Sequence, residues 1–313
     1  MEFDRPRIKE MAKTILHQAQ PRPWKVTLAY QLLLYGLPLA LLLLLLLPVL
    51  TGFYLAQGSS ASISSALSVL FLLVYLCLLL LMVLFTAGYI FYTLRLWRRE
   101  EGSCRDLFHG FSAAPRLLAL FGLILLFSFL WCLPVFAVLE GAVLLVQRLI
   151  PSLLGPLFFP LLLGAWVFLF NRILRYAMAF HVLLDHPEYT ARQALNQSKA
   201  LMVGHRWQLM VFFLSFLGWM LLVLVILYAV AVLAVLLLAL LFPSIQNSPQ
   251  ATTLAALGIA ALAWLSSAPL SLWLTGYLGV SLAGVYDRLQ GAPQVPSAPP
   301  WQPPAGEEPS LPE

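Results

Sequence analysis

Charged residues are scarce in this sequence. They make up 10% of its 313 residues, whereas a soluble domain carries roughly 25%. Hydrophobic residues make up 61%. Because a chain of this composition has too few polar side chains to cover a folded surface in water, an ordinary soluble domain is excluded and lipid is expected to cover the surface.

Motifs of the common catalytic and nucleotide-binding classes are missing. The sequence contains no G-x-S-x-G elbow, no P-loop, no dinucleotide-binding fingerprint and no H-E-x-x-H. Basic residues cluster beside apolar runs and do not form a stripe on a soluble surface, which argues against nucleic acid as a partner. We therefore expect a protein that is not an enzyme and holds no cofactor.

Cysteine and histidine are few, with three and five residues. Cys77 and Cys132 lie in apolar runs and Cys104 lies in a basic loop, so no disulfide framework is predicted. His181 and Asp185 share one helical face at i, i+4 spacing. A metal site would need further ligands from other loops, and nothing in the spacing requires them, so no metal site is predicted.

Long apolar runs are the main feature that is present. They cover residues 26–55, 66–94, 117–146, 153–170, 209–242 and 251–286. A membrane-spanning helix needs about 20 apolar residues, so the predicted fold class is an all-α polytopic membrane helix bundle of about six transmembrane helices with short amphipathic interfacial helices. The fourth run is expected to continue as helix to Leu184. The sixth contains Pro269 and forms either one bent span or two short ones.

Three regions are predicted from the change in composition along the chain. Residues 1–25 form a cytoplasmic amphipathic N-terminal helix, residues 26–289 form the six-span membrane domain, and residues 290–313 form a disordered, proline-rich cytoplasmic tail. The N-terminal helix is expected at the membrane interface, and docking on a soluble partner is the alternative. Its apolar face repeats at helical spacing and comprises Ile8, Met11, Ala12, Ile15, Leu16 and Ala19.

The distribution of basic residues predicts the orientation of the spans. Of the 18 Lys and Arg residues, all except Arg148 fall in segments that six spans would place on one side. Because positive charge is retained in the cytoplasm during insertion, both termini are expected there. Two short spans in the sixth run would instead place the C-terminus outside.

Charged residues inside the apolar runs are candidates for function. Glu140 lies within two turns of the outer end of its run, where it either faces the outer headgroups, pairs with Arg148 or relays protons. Arg172 and Arg175 have apolar residues on both sides. They either extend to lipid phosphates, pair with a carboxylate such as Asp185 or Asp106, or bind an anionic substrate.

A short polar helix is predicted over residues 190–203, between the fourth and fifth runs. Thr190 and Gln193 have the spacing of a capping box, and Gly204 is the expected C-cap. One face of this helix is expected to pack under the bundle along the inner membrane surface. That face comprises Ala191, Ala194, Leu195, Ser198, Leu201 and Met202.

Several short motifs carry a resemblance to a known family. They are Arg175-Tyr176-x-Met178, Asp185-x-Pro187, Ser198-Lys199-x-x-Met202-x-Gly204, Ser215-Phe216-x-Gly218-Trp219, Tyr277-x-x-x-Ser281 and Leu107-Phe108-x-Gly110-Phe111. The pattern resembles domain-of-unknown-function family 975. This resemblance implies a multi-pass protein of the bacterial cytoplasmic (inner) membrane without an assigned activity. It adds as candidate functional or structural residues Tyr176, Pro187, Ser198, Gly204, Trp219 and Tyr277.

The function expected from these features is a non-enzymatic scaffold or a lipid-organising, regulatory membrane protein. Its working face would be the cytoplasmic segments 95–116 and 171–206, with membrane lipids, including anionic headgroups, and a protein as partners. The alternative is a transporter or permease component for an amphiphilic or anionic solute, with Pro269, Arg172 and Arg175 along its path. The sequence shows no internal repeat of the kind that many transporters carry, which favours the first function.

Overall fold

The computed structural model describes residues 5–19, 22–38, 40–41, 61–150, 152, 154–241 and 249–291. Within these ranges the chain forms helices and no strands, which confirms the predicted all-α class. The α-helices in chain order are α1 Arg5–Gln18, α2 Pro23–Gln31, α3 Ala61–Trp97, α4 His109–Ser112, α5 Ala114–Leu149, α6 Leu154–Ile173, α7 Ala179–Asp185, α8 Ala191–Leu201, α9 Arg206–Leu241 and α10 Pro249–Leu289. Shorter helical turns are the π-helix Leu32–Gly36 and the 3₁₀-helices Cys104–Phe108 and Leu174–Tyr176.

Five helical segments are long and apolar enough to cross a membrane. They are Val69–Trp97, Ala114–Leu149, Gly155–Asp185, Arg206–Leu241 and Ala255–Leu289, and they correspond to the second through sixth apolar runs. The second half of the first run and the proline-rich tail fall in residues 42–60 and 292–313, outside the described residues. A membrane span in the first apolar run and the disordered tail therefore remain predictions.

The outward surface of the long helices is apolar. Val138 on α5 is 73% exposed and Leu240 on α9 is 77% exposed. The most apolar stretches of these two helices contain no residue that the rest of the chain buries. Because so much apolar area cannot remain in water, these helices are those of a membrane protein whose lipid covers them.

The protein's own core lies at one end of the bundle. This polar end is formed by residues 95–116, 171–206 and 286–291, which carry most of the charged side chains of the described chain outside α1 and α2. Large side chains that are almost completely buried there are Tyr92, Leu117, Leu195, Met202, Phe212 and Tyr286. Packing within the chain is therefore concentrated at the polar end, and the remaining length of the helices depends on lipid.

The fourth apolar run continues as one helical segment to Asp185, as predicted, but a tighter turn interrupts its α-helix. Helix α6 ends at Ile173, a 3₁₀ turn follows at Leu174–Tyr176, and α7 begins at Ala179. The tighter turn buries Tyr176 at 5% exposure against the core. Leu174 in the same turn is also buried, at 4% exposure, and hydrophobic periodicity alone does not reveal the change to a 3₁₀ turn.

The sixth apolar run is a single helix. Helix α10 continues through Pro269 from Pro249 to Leu289, so the alternative of two short spans is not the one adopted. The serine hydroxyls of Ser266, Ser267 and Ser271 donate to backbone carbonyls one turn back, at 2.7, 2.9 and 3.0 Å. These bonds satisfy polar groups around the proline inside an apolar segment.

Helix α1 is amphipathic, as predicted, but its apolar face packs on protein. Ile8 and Ala12 are completely buried and Ile15 is 8% exposed, and all three belong to the same core as α3, α9 and α10. Helix α10 supplies most of the covering surface. Another helix therefore covers this apolar face, and the expected position of α1 at the membrane interface remains a prediction.

Two glycines explain the Leu107-Phe108-x-Gly110-Phe111 motif. A Cβ atom on Gly110 would lie 2.1 Å from the carbonyl oxygen of Leu84, and one on Gly88 would lie 1.9 Å from the carbonyl oxygen of Leu107. The backbone of the motif therefore touches the backbone of α3 at two points. Only glycine permits this approach, so the motif is a close-packing device that attaches the 102–112 segment to α3.

The short polar helix forms where it is predicted. Thr190 and Gln193 make the capping box, and α8 ends at Leu201, two residues before the expected end. The C-cap is Met202 and not the predicted Gly204, which lies two residues further along with a left-handed φ of +80°. The predicted inward face of α8 is buried, with Ala194, Leu195 and Ser198 at 0–1% exposure. The orientation of α8 along the membrane surface remains a prediction.

Candidate functional site

Arg172 and Arg175 lie beside one aromatic residue of α5. The guanidinium carbon of Arg172 is 4.4 Å from the centre of the Trp131 ring, and that of Arg175 is 5.5 Å from it. Arg172 is also 4.8 Å from the ring of Phe168. Helix α6 brings Arg172 over Trp131, and the 3₁₀ turn that follows it keeps Arg175 on the same side. The two cations are thus held by cation–π contacts at an otherwise apolar surface.

Neither arginine pairs with the predicted carboxylates. Asp185 accepts from Arg98 at 2.6 Å, and Asp106 accepts from Arg95 at 2.9 Å. Across the ranges that the structure describes, Arg172 and Arg175 form no ion pair. The prediction of a carboxylate partner is therefore wrong, because Asp106 pairs with Arg95 of α3 and Asp185 pairs with Arg98, which follows α3. The Nε atom of Arg175 is buried and has no hydrogen-bond partner in the described chain.

A third cation lies near the arginines. Lys199 of α8 has its Nζ atom 4.8 Å from the Phe127 ring and 5.7 Å from the Tyr176 ring. Phe127 and Tyr176 stack with their ring centres 6.2 Å apart. The Ser198 hydroxyl donates to the carbonyl of Arg175 at 2.9 Å, which joins α8 to the 3₁₀ turn. Arg172, Arg175 and Lys199, with Trp131, form what we call the cationic cluster.

A groove between α5 and α6 begins at the cationic cluster. It encloses about 520 Å³ and its walls are apolar. Trp131 and Phe168, which contact the arginines, also line the groove. Small residues and prolines leave the space between the two helices open, namely Pro134, Ala142, Pro160, Gly164 and Ala165. The apolar groove therefore has the positively charged arginines at one end and runs along the lipid-facing surface.

Arg98 is the centre of an ion-pair network that sequence analysis did not identify. It donates to Asp185 of α7 at 2.6 Å and to Asp287 of α10 at 3.0 Å. The Tyr286 hydroxyl adds a hydrogen bond to Asp185 at 3.2 Å. The hydrogen bond with Asp185 is the main reason why the pKa of Arg98 is raised above its ordinary value. This network connects the ends of α3, α7 and α10, so Asp185 has a structural partner.

Pro187 and the residues beside it form the turn after α7. The Arg116 guanidinium donates a hydrogen bond to the carbonyl of Pro187, which connects this turn to the start of α5. His186 Nδ1 lies 3.2 Å from the Glu188 carboxylate. Pro187 itself is exposed, so its place in the motif reflects the turn and not a buried contact.

Glu140 lies far from the cationic cluster along α5. It forms no ion pair with Arg148 in the described structure, so that predicted pairing is wrong. Eight residues separate the two along one helix, about 12 Å at 1.5 Å per residue, which exceeds the reach of their side chains. Contact of Glu140 with outer headgroups remains a prediction.

His181 is the buried histidine of α7. It is 4% exposed, its ring centre lies 5.4 Å from that of Tyr286, and its Nδ1 atom has no partner in the described chain. Within the described residues no three His, Cys, Asp or Glu side chains approach closely enough to hold a metal ion. Cys77, Cys104 and Cys132 carry free thiols.

Comparison with known proteins places the chain in a family. The family model described as a protein of unknown function (DUF975) matches residues 1–292. The chain belongs to the DUF975 family. No curated protein and no solved structure matches it.

Motif residues of this DUF975 protein take part in four separate contacts. Gly110 approaches the backbone of α3, Arg175 of the cationic cluster accepts a hydrogen bond from Ser198, and Asp185 belongs to the Arg98 network. In the fourth contact, Trp219 of α9 and Tyr277 of α10 both contact Trp273. Most of the motifs are therefore explained by packing, and the cationic cluster and the aromatic contact remain as binding candidates.

Proposed function

We propose that this DUF975 protein is a non-enzymatic, lipid-organising membrane protein that binds an anionic lipid at the cationic cluster. The observation that supports this function is the pair Arg172 and Arg175, which lie beside an apolar groove and have no carboxylate partner in the described chain. Positive charge beside lipid-facing apolar area matches the two halves of an anionic lipid. The phosphate would sit at the arginines and an acyl chain would occupy the α5–α6 groove.

The chemistry of the arginine side chain supports phosphate as the anion. The face of a guanidinium group interacts with an aromatic ring, while its N–H groups point outward in the plane. Contact with Trp131 therefore leaves the N–H edge of Arg172 available for paired hydrogen bonds with phosphate oxygens.

The proposed location is the cytoplasmic membrane of a bacterium, with several spans and both termini inside. The one-sided distribution of Lys and Arg supports this orientation. The polar end would then face the cytoplasm, and its basic segments 95–116 and 171–206 would also be the surface for a protein partner. In this orientation the cationic cluster lies at the inner leaflet, where anionic headgroups occur.

The transporter alternative receives less support. Its path was expected to include Pro269 together with Arg172 and Arg175. Pro269 instead lines a different groove, of about 460 Å³, between α10 and the α1–α2 region. Neither this groove nor the α5–α6 groove is lined by both the proline and the arginines.

Co-purification of lipid tests the proposed function. The wild type and the variants Arg172→Leu, Arg175→Leu and the double variant would be purified in mild detergent, and bound lipid would be measured by native mass spectrometry. We expect wild type to retain anionic phospholipid and the double variant to retain less by a factor of about ten or more, because two charge-assisted phosphate contacts disappear. Arg175→Lys should retain an intermediate amount, since lysine keeps the charge but not the planar fork.

The matched control is Arg192→Leu. Arg192 is an exposed arginine of α8 at the same end of the bundle. Its replacement removes the same charge without touching the cluster, so the lipid content should equal that of wild type. Equal lipid content in the double variant and wild type, with folding preserved, would exclude the cluster as the binding site.

A further inference from the structure

Five aromatic side chains of α9 and α10 form a continuous wall next to α1. Phe212 and Phe216 lie with ring centres 5.1 Å apart, and Phe216 and Tyr277 are also 5.1 Å apart. Trp273 lies 5.0 Å from Tyr277 and 5.3 Å from Trp219. We call these five residues the aromatic box. It contains Phe216, Trp219 and Tyr277, three motif residues that the proposed lipid site does not use.

Two ammonium groups of α1 contact this box: Lys9 lies over Phe216 and Phe212, and Lys13 lies 5.7 Å from the ring centre of Tyr277. The Nζ atom of Lys9 is 4.4 Å from the ring centre of Phe216 and 5.8 Å from that of Phe212. It also donates a hydrogen bond to the Ser215 hydroxyl at 2.5 Å. That hydroxyl in turn donates to the carbonyl of Phe212, so its acceptor side is directed to the ammonium. One cation therefore meets two aromatic faces and one oriented hydroxyl.

Lys9 is partly buried, and its hydrogen bond to Ser215 is exposed to solvent. Here partial burial lowers the pKa of Lys9, and the neighbouring Lys13 lowers it further. No carboxylate pairs with Lys9 in the described residues, so the aromatic faces and the Ser215 hydroxyl are the groups that offset the loss of water.

The box is not sealed by α1. Trp219 is 44% exposed and Trp273 is 37% exposed. Trp273 also lines the groove of about 460 Å³ between α10 and the α1–α2 region, and Arg22 lies on the same groove. A ligand with an ammonium group, a phosphate and an apolar chain therefore has space beside the box and a cation close to it.

We propose that the aromatic box is an alkylammonium-binding site, occupied in this structure by Lys9 of the same chain and open to competition from the ethanolamine headgroup of a membrane lipid. Aromatic faces are the common means by which proteins recognise alkylammonium groups. Competition by the headgroup would displace Lys9 and release α1 from α9 and α10. This site is independent of the cationic cluster and of the function proposed above.

Chemical rescue tests whether the box recognises an ammonium group. The variant Lys9→Ala removes the ammonium group beside Phe216 and Phe212 and leaves Lys13 beside Tyr277, and we expect its Tm in detergent to fall by about 2–4 °C. Ethylammonium chloride should restore most of this loss, whereas NaCl at the same ionic strength should not. The variant Lys9→Arg should remain close to wild type, because a guanidinium also interacts with aromatic faces.

The control variant for rescue is Lys9→Ala with Phe216→Leu, which removes the nearest aromatic face. Ethylammonium should have no larger effect on it than NaCl. If ethylammonium and NaCl act equally on Lys9→Ala itself, the box does not recognise ammonium and the proposal is overturned. Loss of stability in Lys9→Ala without any recovery also overturns it, because α1 would then be held by its apolar face alone.

Lipid nanodiscs test whether the ethanolamine headgroup competes with the Lys9 ammonium group for the aromatic box. Wild-type protein would be placed in phosphatidylethanolamine or phosphatidylglycerol nanodiscs, and hydrogen exchange of residues 5–18 would be followed by mass spectrometry. If the ethanolamine headgroup competes, hydrogen exchange of α1 should be faster by a factor of about three or more in phosphatidylethanolamine nanodiscs than in phosphatidylglycerol nanodiscs. Lys9→Ala should remove this difference, since the headgroup then has no Lys9 ammonium group to displace. Equal exchange of the wild type in both membranes would overturn the role of the lipid headgroup.

Discussion

The Ser198 hydroxyl donates a hydrogen bond to the backbone carbonyl of Arg175 at 2.9 Å. That carbonyl lies in the 3₁₀ turn that interrupts the fourth apolar run, where the regular helical ladder changes. Ser198 is completely buried, so the bond replaces contact with water. Helix α8 thereby fixes the turn from which the Arg175 side chain reaches Trp131.

Replacing this serine should weaken both the fold and the cationic cluster. Ser198→Ala leaves a buried carbonyl without its donor, and we expect the free energy of unfolding to fall by about 1–2 kcal/mol. Bound anionic lipid should fall as well, because Arg175 loses its fixed position. Chemical denaturation and native mass spectrometry measure the two effects. Ser112→Ala is the control, since that exposed serine bonds to His109 of its own turn and should change neither.

Loss of Arg98 should be the most damaging removal of a charge at the polar end. Arg98→Leu leaves Asp185 and Asp287 without their shared partner. We expect a loss of about 2–3 kcal/mol, below the roughly 3–5 kcal/mol of a fully buried pair because the arginine is partly exposed. Thermal unfolding in detergent measures it. The variant Arg98→Leu with Asp287→Asn should recover part of the loss, since one unpaired charge is removed.

The exposed Arg105 provides the comparison for Arg98. Arg105→Leu removes a charge from the same end without breaking the network and should stay within about 0.5 kcal/mol of wild type. If the Arg98 and Arg105 variants unfold alike, the network does not hold α3, α7 and α10 together.

Adding a methyl group should have opposite effects at Gly110, which touches another backbone, and at Gly122, which has no close neighbour. Gly110→Ala forces a Cβ to 2.1 Å from the carbonyl oxygen of Leu84, so the variant should be strongly destabilised or fail to accumulate in the membrane. Gly122→Ala adds the same methyl group to α5 where nothing lies within 4 Å. It should be stabilised by about 0.5–1 kcal/mol through helix propensity. Expression level and Tm of both variants give the comparison, and similar values would rule out the close backbone approach.

The buried face of α8 should not accept a charge. Leu195 is 1% exposed, and Leu195→Asp places a carboxylate without a partner in the core. We expect loss of the folded protein or a marked fall in Tm. Asn196→Asp adds the same charge one residue later on the exposed side and should behave as wild type. Normal stability of the Leu195 variant would show that α8 is only loosely attached.

The predicted orientation can be tested at the C-terminus. Ser310→Cys, in a background in which the three native cysteines are replaced, should be labelled by an impermeant maleimide only after the cells are opened. The physical reason is the retention of basic segments in the cytoplasm. A cysteine replacing Gln147, close to Arg148, is the control and should be labelled in intact cells. Labelling of position 310 in intact cells would show that the C-terminus lies outside and would contradict the prediction.

The sequence alone was sufficient for the features that depend on neighbouring residues. Five of the apolar runs are helices of membrane length, α1 is amphipathic, and Thr190 and Gln193 begin α8 as expected. These features follow from hydrophobic periodicity and capping groups. All of them act over a few residues, so the local pattern contains the information.

Only the tertiary structure decided which side chains meet across helices. Arg98 and Asp287 are 189 residues apart, and nothing in their local surroundings distinguishes Arg98 from the exposed Arg99 beside it. Asp185 is a candidate partner of Arg175 by sequence, but Arg98 at the end of α3 supplies its cation. The cover over α1 likewise comes from a helix more than two hundred residues away. These choices depend on the packing distances and rotations of whole helices, which hydrophobic periodicity leaves undetermined.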